Sequence, residues 1–276
     1  MAGLPGFEER FAAVKGGRLR YFVAGSGEPL VLLHGLGGAA SNWFALAPEL
    51  ASRRRVLVPD LPGHGGSSPL PAVASLDAFA DRVGRLAERE GVLPAPVVGH
   101  SLGGLVALRT AARFPGAVRA LVLAAPAGIS SLTRRARYAL RIVGIVRPAK
   151  LIAPYRRLVA HSPFLRSAVF GYWGASDPAA LSPRAAAGFL AGAPLHTDTV
   201  SAAAALVRDD PRPDLAAVDC PSLVLWGARD HQLAVADGFE YARRLNASVR
   251  VIADCGHLLI GERPDACLAA IDEFLS

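Results

Sequence analysis

The sequence predicts an α/β protein with a mostly parallel central sheet flanked by helices. Short apolar runs alternate with amphipathic helical stretches along the first 126 residues and again after residue 213. These runs are apolar almost throughout, which is typical of strands buried on both faces of a parallel sheet. At 276 residues, of which 52% are hydrophobic and 19% charged, the chain is long enough for one large domain of this kind.

The expected elements follow one another in a regular order. The runs that predict strands lie at 18–23, 29–33, 56–58, 96–98, 118–124, 222–226 and 249–252. The stretches that predict helices lie at 76–90, 105–114, 234–245 and 264–275. Ser75 is the expected N-cap of the first of these helices.

The strand pattern stops after Pro126. Helical stretches rich in Arg and Ala, interrupted by prolines, continue to about residue 213. We expect a helical insertion here, so that residues 1–126 form the first part of a core domain, 127–213 the insertion and 214–276 the second part of the core.

The net charge of +7 originates in the insertion. Residues 127–213 contain 12 Arg and Lys against 4 Asp, whereas the rest of the chain is nearly balanced. No aromatic-rich pattern typical of nucleic-acid binding accompanies these charges, so we predict no nucleic-acid partner. Two interpretations stay open: a solvated surface, or a weak attraction of the basic insertion for anionic or amphiphilic substrates and lipid surfaces.

Three cysteines, at positions 220, 255 and 267, form no C-x-x-C pair. They predict neither a disulfide framework nor a metal site. The first residues, MAGLPGFEERF, show no signal peptide, and the most apolar stretch, 120–129, is about half the length of a membrane-spanning helix. We therefore expect a cytoplasmic protein with no transmembrane segment.

Residues 99–103, Gly-His-Ser-Leu-Gly, lie between a predicted strand and a predicted helix. A turn directly from strand to helix strains its central residue, so the residues two before and two after it must be nearly free of side chains. Such a turn holds the Ser101 hydroxyl out at the carboxyl edge of the sheet. Ser101 is therefore the candidate nucleophile.

A serine hydroxyl needs a base that accepts its proton. For this kind of turn the acid and then the histidine are expected to follow the serine along the chain. Asp230 comes just after the strand at 222–226, and His257 just after the strand at 249–252. Because both strands end at the same sheet edge, we predict that Asp230 orients His257, the base.

His34-Gly35-Leu36-Gly37-Gly38 follows another predicted strand. Its glycines allow close approach of the backbone to a substrate, and we expect the N–H groups of Leu36 and Leu102 to form an oxyanion hole. A phosphate-binding loop is the rival interpretation, but the Lys and the Ser or Thr that it requires are missing.

The chain resembles the cap-bearing α/β-hydrolase fold family over essentially its whole length. The motifs that carry the resemblance are HGLGG at 34–38, DLPGHGGS at 60–67, GHSLGG at 99–104, WGARD at 226–230 and CGHLLIGERP at 255–264. The resemblance implies a triad of Ser101, Asp230 and His257, a helical cap after the sixth strand, and neither cofactor nor metal. It also implies a structural role for the loop that contains Asp60, His64 and Ser67.

Among the reactions of this family, we expect hydrolysis of a small-molecule carboxylic ester with an apolar acyl group. A serine nucleophile argues against dehalogenase and epoxide-hydrolase chemistry. His100 and Leu258 stand where carbon–carbon bond hydrolases of the family usually have Asn and Trp, which weakens that alternative. Lactone hydrolysis, perhydrolysis, acyl transfer and a non-catalytic ligand receptor remain further alternatives.

Overall fold

The computed structural model describes residues 3–71, 73–129, 151–171 and 174–276, and a single sheet of eight strands forms its centre. The strands are β1 (Glu8–Val14), β2 (Gly17–Ala24), β3 (Pro29–Leu33), β4 (Arg55–Pro59), β5 (Ala95–His100), β6 (Val118–Ala124), β7 (Ser222–Gly227) and β8 (Ser248–Ile252). Their order in the sheet is β1-β2-β4-β3-β5-β6-β7-β8. Of the seven strand pairs, β1–β2 and β2–β4 are antiparallel and the other five are parallel. The expected mostly parallel sheet is therefore confirmed.

Every strand that the sequence predicts is present, and one further strand, β1, was not predicted. β1 lies at the edge of the sheet, pairs only with β2 and exposes most of its side chains. An edge strand needs no continuous apolar run, because one of its sides faces solvent. β5 and β7, by contrast, are buried at every residue.

The helices are α1 (Ala47–Ala51), α2 (Leu76–Arg89), α3 (Leu102–Arg113), α4 (Arg156–His161), α5 (Pro163–Phe170), α6 (Pro183–Ala191), α7 (Thr199–Arg208), α8 (Arg212–Ala217), α9 (Val235–Leu245), α10 (Leu259–Glu262) and α11 (Pro264–Leu275). As expected, the Ser75 side chain caps α2 by accepting the backbone N–H of Ala78. Helix α3 begins three residues earlier than predicted, directly after Ser101. Helices α2, α3, α8 and α9 pack successively against one another.

Helices α4 to α8 lie between β6 and β7, so the helical insertion after the sixth strand is confirmed. The boundaries of the insertion at 127 and 213 stay predictions. Residues 130–150, which hold six of the twelve basic residues of the insertion, lie outside the described residues, as do Tyr172 and Trp173. Phe170 of α5 is buried, and its ring centroid lies 6.2 Å from that of Phe189 in α6.

The chain runs from β3 to β4 on one side of β3, then crosses to β5 on the other side. At such a reversal the loops after the two neighbouring strands diverge and leave a crevice at the carboxyl edge of the sheet. Residues 34–38 follow β3, and Ser101 follows β5. The fold thus brings two of the sequence motifs to the two sides of one crevice.

Helix α3 approaches the sheet so closely that two positions beside Ser101 have no room for a side chain. A Cβ at Gly103 would overlap the carbonyl oxygens of Leu33 and His34, and a Cβ at Gly99 would overlap the carbonyl of Gly103. The steric requirement inferred from the 99–103 motif is therefore confirmed.

Replacement of Gly103 by Ala is expected to lower the free energy of unfolding by about 1–3 kcal/mol or more, because a rigid backbone meets the added methyl group. Gly116→Ala is the matched control: φ there is +81° and a Cβ would meet nothing within 4 Å. The control variant should lose about 1 kcal/mol from backbone strain alone. Urea unfolding measures both losses, and an equal small loss in the two variants would contradict the close approach of α3.

Candidate active site

Ser101 occupies the turn between β5 and α3 with φ 53° and ψ −117°. A non-glycine residue rarely adopts a positive φ, so the surrounding structure must hold it there. The backbone N–H of Ser101 donates to Ala124 O of β6 at 3.0 Å, and the carbonyl of Ser101 accepts from Gly104 N at 2.9 Å. These bonds fix the direction in which the Ser101 side chain leaves the turn.

The structure brings the three predicted residues into one hydrogen-bonded row. His257 Nδ1 lies 2.8 Å from Asp230 Oδ2, and His257 Nε2 lies 3.1 Å from Ser101 Oγ. The Asp230 side chain is fully buried and that of His257 is 6% exposed. A carboxylate can only accept, so Nδ1 carries the proton and donates to Asp230. Nε2 is then free to accept the hydrogen of the Ser101 hydroxyl.

Asp230 is itself held by its own loop. Its other oxygen, Oδ1, accepts the backbone N–H groups of Gln232 at 2.8 Å and Leu233 at 2.9 Å. Both carboxylate oxygens therefore have donors, which lowers the cost of burying the charge. This arrangement fixes the orientation of the carboxylate that faces His257.

Two sets of hydrogen bonds hold the loop that carries His257. His257 N donates to Gly174 O of the insertion at 2.6 Å. The Glu262 carboxylate accepts the N–H of Gly256, at 3.1 Å, and that of Ser176, at 2.8 Å, and so ties the loop to the insertion a second time. Burial raises the pKa of Glu262, against the effect of these N–H donors.

His100, next to the candidate nucleophile, also holds the loop that carries His257. Its Nε2 donates to the backbone carbonyl of His257 at 2.9 Å, and the two rings lie 5.1 Å apart. Burial lowers the pKa of His100 to about 3, so the ring is neutral at physiological pH. This hydrogen bond was not predicted from the sequence.

Leu36 and Leu102, the expected oxyanion donors, lie in the loop after β3 and at the first residue of α3. The loop adjoins the candidate nucleophile closely, because a Cβ at Gly35 would come 3.1 Å from Ser101 Cβ. Within the described part of the chain, no acceptor bonds the N–H of Leu36 or Leu102. The two groups are thus available for a ligand.

His34 and Asp60 hydrogen-bond to the backbone of the loop that contains Leu36 and of the segments next to it. His34 Nδ1 donates to Gly35 O at 2.8 Å and its Nε2 accepts Leu61 N at 2.9 Å. Burial lowers the pKa of His34 to about 3. The Asp60 carboxylate is also fully buried and accepts Ala40 N at 2.7 Å, and burial raises its pKa. Both side chains hydrogen-bond to backbone groups and are inaccessible to solvent.

His196, in the insertion, is a site-supporting residue that the sequence did not indicate. Its Nε2 donates to Gly37 O at 2.8 Å and its Nδ1 accepts Gly65 N at 2.9 Å. It thereby joins the loop after β3 to the loop after β4. Nothing in the sequence around it, Leu195-His196-Thr197, forms a motif, because its partners are backbone groups far away along the chain.

Cys255, two residues before His257, is fully buried, and burial raises the pKa of its thiol. That environment disfavours the thiolate, so a nucleophilic role is not indicated. The described residues contain no group of three or more His, Cys, Asp or Glu side chains arranged to hold a metal ion. They also form no helix with the length and apolar character needed to cross a bilayer.

The order and direction of the strands are those of the α/β-hydrolase fold. Residues 28–264 match the sequence profile of the alpha/beta hydrolase fold. The chain therefore belongs to the α/β-hydrolase family.

Individual relatives agree with the family. The chain is 32% identical over 256 residues to the dihydrolipoyllysine-residue acetyltransferase component of the acetoin cleaving system of Pseudomonas putida, a match that covers 90% of this chain and 64% of that protein. It is 46% identical over 101 residues to the pimeloyl-(acyl-carrier protein) methyl ester esterase of Chromobacterium violaceum, covering 37% of this chain and 38% of that protein. The chain thus spans less than two thirds of either relative.

Among solved structures, a thermophilic esterase from Thermogutta terrifontis superposes with a TM-score of 0.74 at 27% identity. The match covers 97% of this chain and 98% of the esterase. The similarity therefore includes the insertion as well as the core.

His196→Ala should lower the free energy of unfolding by about 1–3 kcal/mol, because it leaves the Gly37 carbonyl and the Gly65 N–H without this partner. His161→Ala is the control, since His161 is an exposed insertion histidine that bonds only to a carbonyl of its own helix. We expect a change below about 0.5 kcal/mol for the control. Equilibrium urea unfolding compares the two, and an equally small effect would show that His196 does not join the loops.

Proposed function

We propose that this chain is a serine hydrolase that cleaves carboxylic esters through an acyl-enzyme on Ser101. The observation that carries the proposal is the row of hydrogen bonds from Asp230 through His257 to the Ser101 hydroxyl, at 2.8 Å and 3.1 Å. A buried acid, an imidazole in the required tautomer and a serine on a strained turn are the parts of an activated nucleophile.

Acylation follows from this geometry. Ser101 Oγ attacks the ester carbonyl carbon while its proton passes to His257 Nε2. The imidazolium that forms is stabilised by the buried Asp230 carboxylate, which stays ionised. His257 then gives the proton to the alkoxide leaving group, the alcohol departs, and the acyl group remains on Ser101.

The negative charge of the tetrahedral intermediate would be held by the N–H groups of Leu36 and Leu102. Two preorganised donors at such a position are worth several kcal/mol in the transition state, roughly 3–4 kcal/mol for each donor in mutational studies. The Leu102 group lies at the N-terminus of α3, where the helix dipole adds a further attraction for anions.

In deacylation water replaces Ser101 as the nucleophile, and Ser101 becomes the leaving group. His257 Nε2 takes a proton from water as the water oxygen attacks the acyl carbon. The second tetrahedral intermediate collapses, the proton returns to Ser101 Oγ, and the carboxylic acid is released. No group other than water is needed to balance this cycle.

Ester substrates with an apolar acyl group are favoured by the side chains beside the site. Leu36, in the loop after β3, and Leu258, next to His257 in sequence, have partly exposed apolar side chains. The relatives named as esterases support ester hydrolysis. We also propose a reducing, cytoplasmic location, which is supported by three cysteines that are all free.

The direct test is Ser101→Ala against a panel of 4-nitrophenyl esters of graded chain length, with lactones and carbon–carbon bond substrates beside them. We expect the variant to lose on the order of a million-fold in kcat on the preferred ester, with a small residue from the oxyanion hole. Ser167→Ala, an exposed serine on α5, is the control and should retain full activity.

Activity of Ser101→Ala within tenfold of the parent would rule out Ser101 as the nucleophile. A burst of nitrophenol followed by turnover only with an acceptor other than water would identify an acyltransferase instead. Preferential cleavage of lactones or carbon–carbon bonds would replace the ester as the substrate class.

A further inference from the structure

Several large apolar side chains in the described part of the insertion are exposed. Residues 151–161 form one helical segment, in which Leu151, Tyr155 and Leu158 recur at helical spacing and are 65%, 64% and 60% exposed. Phe164, in the first turn of α5, is 79% exposed. We call Leu151, Tyr155, Leu158 and Phe164 the outer apolar face.

This surface is unusual within the molecule. Five large apolar side chains of the described residues are at least 60% exposed, and four of them belong to the outer apolar face. The helical segment also has an inward side, where Val159 and Ala160 are buried. The outer face is therefore a second apolar side of a segment that already contributes to the core. Grouped exposed apolar side chains are typical of a contact surface.

The stretch of sequence that contains this face is strongly basic, and its charge indicates the kind of partner. Residues 127–176 contain nine Arg and Lys and no Asp or Glu. Arg157 is exposed and lies in sequence between Tyr155 and Leu158. A second copy of the chain would bring the same positive charge to the contact, so self-association is disfavoured. The partner must combine negative charge on its surface with an apolar layer beneath it.

We propose that the outer apolar face docks the protein on bilayers that contain anionic phospholipids. Tyr155, Leu158 and Phe164 would enter the boundary between headgroups and acyl chains, while the exposed Arg157 contacts a lipid phosphate. Docking in this way needs no membrane-spanning helix. It goes beyond ester hydrolysis and does not require it, because neither Ser101 nor His257 takes part.

The test is cosedimentation of the intact protein with vesicles of phosphatidylcholine alone or mixed equally with phosphatidylglycerol. We expect at least tenfold stronger binding to the mixed vesicles and loss of most of it at 0.5 M NaCl, because salt screens surface charge.

Phe164→Ser should weaken binding about tenfold, because it removes an aromatic ring that the bilayer would bury. Arg157→Glu should weaken it by about tenfold or more, since each cationic side chain near the surface contributes about fivefold.

Phe239→Ser is the matched control, because Phe239 is 52% exposed on α9, outside the insertion, and its loss should leave binding unchanged. Urea midpoints of all variants should equal that of the parent. The proposal is overturned if binding is absent, if it is equal on the two kinds of vesicle, or if Phe239→Ser weakens it as much as Phe164→Ser. It is also overturned if the parent is a dimer that Phe164→Ser dissociates, or if Phe164→Ser lowers the urea midpoint because other parts of the chain cover this face.

Discussion

The positive φ of Ser101 is the constraint on which the site depends. A chain that turns from β5 directly into α3 brings the helix against β3, and only glycine fits at positions 99 and 103. The same turn points a hydroxyl away from the sheet and leaves the first N–H of the helix without an intrahelical partner. One strained residue thus positions both the proposed nucleophile and the Leu102 N–H that we propose as an oxyanion donor, and the buried sheet keeps it in place.

The geometry of His257 depends on groups that have no chemical step of their own. His100 holds the backbone carbonyl of His257, Glu262 holds the preceding Gly256, and Gly174 accepts the His257 N–H. His100 belongs to β5, Gly174 to the insertion and Glu262 to α10. The insertion contributes to the site, because its residues 174–176 and His196 help to fix the loops that carry the proposed machinery.

The sequence was sufficient for features that depend on local pattern and chain order. Buried parallel strands, the cap of α2 at Ser75 and the turn at Ser101 follow from runs, spacing and glycines, and the structure agrees with them. β1 was missed because an exposed edge strand needs no apolar run. The bonds of His100, His196 and Glu262 were missed because their partners are backbone groups brought close only by the tertiary fold.

The proposed reaction requires the Ser101 oxygen to carry the acyl group during turnover. The most direct measurement mixes the enzyme with 4-nitrophenyl acetate, quenches it in acid within the first turnover and determines the mass of its peptides. One acetyl group is expected on the peptide that contains Ser101, formed in step with a burst of nitrophenol and absent after Asp230 or His257 is replaced by Ala. An acetyl group on any other residue, or hydrolysis with no acylated peptide under conditions that give a burst, would contradict it.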